Sequence, residues 1–115
     1  MTLVDAEWLN RHLSSSTVRH GYKEPTDRIA CVDGFSVSVQ ASRYTYCEPR
    51  NDSGPWSHVE CGFPRNALGV GVCVDEWQEW ADVPGSPATV YGYMPIEAVV
   101  AWINAHGGVV VEVES

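Results

Sequence analysis

The strongest constraint on the fold of this chain is a strict alternation of apolar and polar side chains between positions 35 and 42. Successive side chains of a β-strand point to opposite faces of the sheet, so this pattern predicts a strand with one buried and one exposed face. The fold must therefore contain a sheet that is covered on one side. The apolar positions are Phe35, Val37, Val39 and Ala41, and the polar ones are Ser36, Ser38, Gln40 and Ser42.

Two neighbouring segments are predicted to pair with this strand. Residues 28–32 lead into Asp33-Gly34, a dipeptide that readily adopts the positive φ values of a type I′ turn, which predicts a hairpin. After a loop of turn-forming residues, the alternation resumes between positions 56 and 63. This second strand is expected to end at Pro64, with Val59, Cys61 and Phe63 on one face.

Helical periodicity is present near each end of the chain. Residues 5–13 predict a short helix that begins at Thr2 or Asp5 as its N-cap. A second helix is expected to start at Pro95 and to stop at Gly107-Gly108. Its apolar stripe at i, i+3, i+4 and i+7 consists of Ile96, Val99, Val100 and Ile103, which leaves Trp102 off the stripe.

The remaining segments complete a prediction of the α+β fold class. Residues 75–82 are long enough for two helical turns, and residues 89–93 and 109–113 resemble short strands. Residues 14–27 and 66–74 are expected to be loops. The chain of 115 residues is predicted to form one compact domain. In it, a mostly antiparallel sheet of about four to five strands packs against two to three helices.

Charge is distributed very unevenly along the sequence. Residues 1–65 contain eight acidic and seven basic residues, so they account for only −1 of the net charge of −8. The last fifty residues contain seven acidic residues and no Lys or Arg. Such a concentrated negative potential repels nucleic acid and membrane surfaces and attracts basic partners. We therefore expect a partner protein with a basic surface, and no direct binding to nucleic acid or membranes.

The first candidate site is the acidic segment at residues 75–82. As a helix it would align three carboxylates at i, i+4 and i+7, with two tryptophans three positions apart on an adjoining face. One interpretation is a solvated acidic stripe over two core tryptophans. The other is a partner-binding surface, because carboxylates pair well with guanidinium groups and tryptophan often anchors interfaces. The candidate residues are Asp75, Glu76, Trp77, Glu79, Trp80 and Asp82.

A second candidate surface is the outward face of the two alternating strands. It is unusually aromatic for a face in contact with solvent, and binding surfaces favour Tyr and Trp because they offer a large contact area with few rotatable bonds. The alternative is that one of the helices covers this face. The numbers of directly opposed residues in the two strands are predicted to sum to an even value. That register places the following residues on one face: Tyr44, Tyr46, Trp56, His58 and Glu60.

No metal or cofactor is predicted. The four Cys and four His residues lack paired ligand spacing, and His58 and Cys61 would point to opposite faces of one strand. No spacing supports a nucleophilic pair of Cys47 with His58 or His106, and there is no glycine-rich phosphate loop. His106 is expected to contact the carbonyl groups at the end of the last helix. We expect four reduced thiols.

Several motifs between residues 33 and 108 carry a resemblance to a known group of proteins. They are Asp33-Gly-Phe-Ser-Val-Ser-Val-Gln-Ala-Ser42, Tyr46-Cys-Glu-Pro-Arg50, Gly62-Phe-Pro64, Val90-Tyr-Gly-Tyr93 and His106-Gly-Gly108. In combination they resemble small uncharacterised proteins encoded by bacteriophages and prophages. The resemblance implies an accessory protein in the cytoplasm of a bacterial host, and it assigns no functional residues. The sequence likewise has no secretory leader pattern, which predicts a cytoplasmic location.

These observations lead to three hypotheses about function. The first is a non-enzymatic, stoichiometric inhibitor of a host defence complex, such as a CRISPR effector, whose basic surface would be occupied by the acidic C-terminal half. The second is a small-ligand-binding protein or small enzyme in which His58 and Glu60 transfer protons. The third is a virion or assembly component, which a stable higher oligomer would support. The oligomeric state does not follow from the sequence.

Overall fold

The computed structural model describes residues 2–110 and contains both helices and antiparallel strands. The elements are α1 (Ala6–Leu13), β1 (Val18–Arg19), β2 (Tyr22–Lys23), β3 (Ile29–Ala30), β4 (Ser36–Gln40), β5 (His58–Arg65), a 3₁₀ helix (Asp75–Trp80), β6 (Val90–Pro95) and α2 (Ile96–Ala105). Strands β3 to β6 form one antiparallel sheet in chain order, and β1 and β2 form a separate hairpin. This arrangement confirms the predicted α+β fold class.

The alternation predicted for β4 is present in the burial of its side chains. Val37 and Val39 are fully buried, while Ser36, Ser38 and Gln40, which alternate with them, are half-buried. The buried residues of both helices belong to the same core as Val37 and Val39, so the helices cover the apolar face and not the Ser/Gln face. From the helices this core receives Leu9, Leu13, Ile96, Val99, Trp102 and Ile103.

The hairpin joining β3 to β4 forms as predicted, but its turn differs from the predicted type. Ile29 pairs with Val37, and of the dipeptide Asp33-Gly34 only the glycine has a positive φ, of 95°. A type I′ turn requires positive φ at both central residues, so this turn is of another type. The Asp33 carboxylate accepts a hydrogen bond from the Phe35 N–H at 3.0 Å, which stabilises the turn locally.

The segment expected to be a loop at residues 14–27 contains the small hairpin of β1 and β2. Arg19 pairs with Tyr22, and the two residues between them, His20 and Gly21, both have positive φ. Two consecutive positive φ values match the twist of a tight hairpin. No alternation is visible there because both strands are only two residues long.

Two β-bulges interrupt the sheet, and each lies at an aromatic residue with positive φ. In β5, one extra residue is inserted opposite residues 36–38 of β4, and Phe63 has φ 53°. In β6, one extra residue is inserted opposite residues 59–61 of β5, and Tyr93 has φ 51°. A bulge turns a side chain to the opposite face. The prediction that Phe63 shares a face with Val59 and Cys61 is therefore wrong, since those two are buried and Phe63 is 47% exposed. The predicted end at Pro64 is also wrong, because β5 runs through Pro64 to Arg65.

The two helices confirm their predicted caps but bury more than the predicted stripe. Asp5 is the N-cap of α1, and its Oδ1 accepts a hydrogen bond from the Trp8 N–H at 2.8 Å. In α2 the predicted stripe is buried except for Val100, which is half-buried, and Trp102 is only 5% exposed. The prediction that Trp102 lies off the buried face is wrong, because its indole packs against Trp77 with ring centroids 5.2 Å apart.

The predicted closing strand at residues 109–113 lies mostly outside the described residues. Within them, Val109 forms antiparallel bridges to Thr2 on one side and to Cys31 on the other. The two ends of the described chain therefore meet beside β3. No helix within residues 2–110 has the length and apolar content needed to cross a membrane.

Candidate binding groove at the acidic segment

The first six residues of the acidic segment, Asp75–Trp80, form a 3₁₀ helix instead of the predicted two helical turns over residues 75–82. A 3₁₀ helix has three residues per turn instead of 3.6, so the predicted alignment of carboxylates at i, i+4 and i+7 does not form. The carboxylates of the segment at positions 75, 76, 79 and 82 are exposed, as expected from the sequence. Trp77 is only 1% exposed and packs against Tyr91 and Trp102, so it belongs to the core and offers no surface for a partner. Trp80 is half-buried. Of the two predicted aromatic anchors, only Trp80 is accessible.

The four carboxylates of this segment have no partner within residues 2–110. No Lys, Arg or His nitrogen of this part of the chain lies within 4.0 Å of their oxygens. They also accept no hydrogen bond from the described side chains or backbone. Exposed charges without counterions nearby sustain a local negative potential that weakens as the salt concentration rises. The residues concerned are Asp75, Glu76, Glu79 and Asp82.

Trp80 separates two surface grooves. One, with a volume of about 300 Å³, lies between the 3₁₀ helix and α2 and is lined by Ala98, Ala101 and Trp102. The other has a volume of about 390 Å³ and lies between the 3₁₀ helix and β6. We call this second cavity the acidic groove, because it combines aromatic rings with two of the free carboxylates. Its lining includes Tyr46, Glu79, Trp80, Asp82, Gly92 and Tyr93.

Both walls of the acidic groove are hydrogen-bonded to the edge of β6 that does not pair with β5. On one side, the Asp82 N–H donates to the Val90 carbonyl at 2.9 Å, and Ala81 forms a bridge with Tyr91. Further along the same strand, the Tyr93 N–H donates to the Tyr46 carbonyl at 2.9 Å. Backbone hydrogen bonds thus fix both the end of the acidic segment and the loop before β5 against β6.

The rings of Tyr46 and Tyr93 form the aromatic wall of the acidic groove. Their centroids are 5.8 Å apart, and each side chain is 46% exposed. The Tyr46 ring lies over Gly92, where an added Cβ would come within 3.1 Å of the Tyr46 Cβ. The absence of a side chain at Gly92 therefore permits this contact. The guanidinium carbon of Arg50 lies 5.8 Å from the Tyr46 ring centroid.

The second candidate surface predicted from the sequence does not exist as one face. The observed pairs Ser38–Gly62 and Gln40–Glu60 have the predicted even register, but β4 ends at Gln40, before either tyrosine. Residues 42–45 form a turn instead. Tyr44 packs against Tyr22, with centroids 5.6 Å apart, and Arg43 lies over both rings.

Trp56 has a structural role in place of the predicted surface role. It is 2% exposed, and its backbone N–H donates to the Asn10 side chain at 2.7 Å. Its indole N–H donates to the Asn51 carbonyl at 3.2 Å. These contacts anchor the loop before β5 to α1, so Trp56 is part of the core.

His58 and Glu60 are each held in local hydrogen bonds. The Nδ1 atom of His58 lies 2.8 Å from the Ser57 hydroxyl. Glu60 accepts a hydrogen bond from the Tyr46 N–H at 2.7 Å through its Oε2 atom. Glu60 therefore positions Tyr46, and through it the aromatic wall of the acidic groove. Of the five residues predicted for the second surface, only Tyr46 lines this groove.

Sequence reasoning missed Gly92 and Tyr93 as site residues. Both lie in a segment predicted simply as a strand, and alternation would not place Tyr93 beside Tyr46. A signal was nevertheless present, because an isolated glycine within a strand often marks a bulge or the close approach of another group. Here both occur: the bulge at residues 91–94 and the Tyr46 ring over Gly92.

The remaining reactive side chains have structural contacts. Cys47 is buried and its thiol donates to the Ser42 carbonyl at 3.1 Å. His106 is the C-cap of α2, and its backbone N–H donates to the Trp102 and Ile103 carbonyls, as expected. Its ring is directed elsewhere: the ring centroid lies 4.3 Å from that of Phe35, and Nδ1 lies 2.6 Å from the Asp33 carboxylate. Within residues 2–110, no three His, Cys, Asp or Glu side chains are grouped so that they could hold a metal ion.

No protein-family model matches the chain, and neither the curated proteins nor the solved structures give a match.

Proposed function

We propose that this chain is a non-enzymatic binding protein that occupies a basic surface of a partner protein through the acidic segment around Trp80. The observation that carries the proposal is the set of four exposed carboxylates with no partner in residues 2–110, three of which line the same grooves as the half-buried Trp80. Unpaired surface charge of one sign suits a partner of opposite charge. A tryptophan at its centre supplies apolar contact area.

The resemblance to phage-encoded proteins supports a setting for this activity. In the bacterial cytoplasm, the partner would be a host defence complex with a basic surface for DNA or RNA, such as a CRISPR effector. The net charge of −8 makes the chain itself unsuited to bind the nucleic acid. Binding would be stoichiometric and would compete with nucleic acid for that surface.

The two contributions to binding have different kinetic effects. Charge concentrated in the acidic segment raises the association rate at low ionic strength, and salt screens it. The contact made by Trp80 acts after docking and mainly slows dissociation. The double variant Glu76→Lys with Glu79→Lys should therefore lower the association rate, whereas Trp80→Ala should raise the dissociation rate.

Affinity capture from host lysate followed by kinetic measurement tests the proposal. A matched control is the double variant Glu7→Lys with Asp27→Lys, which changes the net charge equally at exposed positions outside the acidic segment. We expect Glu76→Lys with Glu79→Lys to slow association much more than the control pair does, with the stability of the fold nearly unchanged. A captured partner whose binding resists both the reversal at Glu76 and Glu79 and about 0.5 M salt would contradict the proposal.

A further inference from the structure

We propose that the acidic groove is a subsite for one arginine side chain of the partner, with the guanidinium held between the Tyr46–Tyr93 wall and the carboxylates of Glu79 and Asp82. This inference rests on the proposed function and makes it specific. It names the chemical group recognised, where the proposed function requires only a basic surface. The groove volume of about 390 Å³ is ample for one long side chain and part of its backbone.

The aromatic wall provides the surface on which a planar cation stacks. Guanidinium groups bind over tyrosine and tryptophan rings within about 6 Å of the ring centroid. The chain already contains one such contact at this wall, since the Arg50 guanidinium carbon lies 5.8 Å from the Tyr46 ring. Tyr93 and Trp80 add two further rings to the same groove, and neither has an internal arginine or lysine over it among the described residues.

The carboxylates provide the charge that selects a cation from other planar groups. Glu79 and Asp82 both line the groove, and neither is paired within the described chain. Asp82 is fixed in place by the backbone hydrogen bond from its N–H to Val90. A guanidinium can donate two parallel hydrogen bonds to a carboxylate while its plane stacks on a ring, whereas the lysine ammonium has no plane to stack. The groove should therefore prefer arginine to lysine.

The direct probe is a set of three short peptides, acetyl-Gly-X-Gly-amide, in which X is arginine, lysine or citrulline. Citrulline keeps the planar shape of arginine but has no charge. Titration into the isotope-labelled full chain is followed by NMR shifts of the Gly92 and Tyr93 N–H groups and the Trp80 indole N–H. We expect arginine to bind roughly threefold more tightly than lysine and tenfold more tightly than citrulline.

Two glycine variants test the role of the aromatic wall. Tyr93→Gly removes a ring of the groove at a position with φ 51°, where glycine relieves backbone strain. Phe63→Gly is a matched control, because Phe63 has φ 53°, lies in the other bulge, is 47% exposed and does not line the groove. We expect Tyr93→Gly to weaken binding of the arginine peptide at least about fivefold. Phe63→Gly should leave this affinity unchanged, and neither variant should unfold.

The outcomes separate this inference from the proposed function. Equal affinity for the arginine and lysine peptides, or equal effects of the two glycine variants, would overturn the arginine subsite. In that case charge reversal at Glu76 and Glu79 would still slow association with the captured partner if the proposed function is correct. Selective arginine binding that Tyr93→Gly abolishes would support the subsite even before any partner is identified.

Discussion

Tyr46 and Tyr93 interact in two ways: the Tyr93 N–H donates a hydrogen bond of 2.9 Å to the Tyr46 carbonyl, and their rings pack with centroids 5.8 Å apart. The first residue lies in the loop before β5 and the second lies in the bulge of β6. Their contact closes the free edge of the sheet and creates the aromatic wall of the acidic groove. The groove therefore depends on the fit of a loop against a strand, and substitutions at that contact should affect both stability and binding.

Gly92→Ala should destabilise the fold by about 1–3 kcal/mol, because the new Cβ would crowd the Tyr46 side chain at 3.1 Å. Gly62→Ala is the matched control. It also lies in the sheet, but its Cβ would meet the Val90 side chain at an ordinary 3.7 Å, and we expect little change or slight stabilisation. Urea unfolding of both variants measures the difference. Equal losses of stability would show that Tyr46 does not pack on Gly92.

Trp102→Ala should destabilise the fold by about 3–5 kcal/mol, at least as much as Ile103→Ala, because both side chains are buried in the core. The indole of Trp102 contacts Trp77 and lies 6.3 Å from the Phe35 ring. Val100→Ala should cost less than either, since Val100 is only half-buried. Urea unfolding with a common m-value gives the three values. A loss at Trp102 no larger than that at Val100 would contradict the burial of the indole.

The unfolding free energy should depend on pH through Asp33. Desolvation opposes ionisation of its carboxyl, but hydrogen bonds from the Phe35 N–H and the His106 ring, together with the His106 charge, lower its pKa below the ordinary 3.8. A carboxyl with a lowered folded pKa stabilises the fold above its unfolded pKa. That contribution is lost as the pH falls through the folded pKa, which lies below 3.8.

We therefore expect Asp33→Asn to lower the unfolding free energy near neutral pH and to flatten its fall below about pH 4. Asparagine retains an oxygen that can accept from the Phe35 N–H, so the turn itself is preserved. Asp27→Asn serves as the control, because the Asp27 carboxylate has no bonding partner in the described part of the chain. Identical pH slopes for Asp33→Asn and the original chain, from urea unfolding at several pH values, would contradict the role of Asp33.

Cys73 should be the first cysteine that alkylating reagents modify in the folded protein. Burial and the Asp33 charge raise the pKa of Cys31 to about 11, and burial raises the pKa of Cys61, so neither forms the reactive thiolate near pH 8. Cys47 is also buried, whereas Cys73 is half-buried. Peptide mapping by mass spectrometry measures the order. After unfolding without reductant, all four thiols should react, and a smaller number would indicate a disulfide.

Local sequence patterns predicted those parts of the fold that depend on neighbouring residues. The alternation in β4 and the i, i+3, i+7 stripe of α2 are periodic properties of single elements, and both are confirmed by burial. Asp5 was recognisable as an N-cap and Asp33-Gly34 as a hairpin turn for the same reason. The carboxylates of the acidic segment are also exposed as predicted, because removing four neighbouring like charges from water has a large desolvation free energy.

Errors arose where one inserted residue or one long-range contact reversed the local pattern. A β-bulge shifts the alternation of side chains by one position, so Phe63 and Tyr93 are both exposed. Uninterrupted alternation would place Phe63 on the buried face and would keep Tyr93 away from Tyr46. Trp102 is buried because α2 packs against the sheet and also against Trp77 of the 3₁₀ helix. Neither effect can be read from the residues within one turn or one strand.

The sequence by itself determined the α+β class, the main strands and helices, and the exposed acidic segment, since short-range periodicity and charge repulsion do not depend on the final packing. Only the tertiary structure decided which aromatic residues face that segment. It buried Trp77 and Trp56, left Trp80 accessible, and brought Tyr46 to Tyr93. The physical reason is that strand edges and bulges set side-chain direction through pairing between distant segments, and burial follows from that pairing.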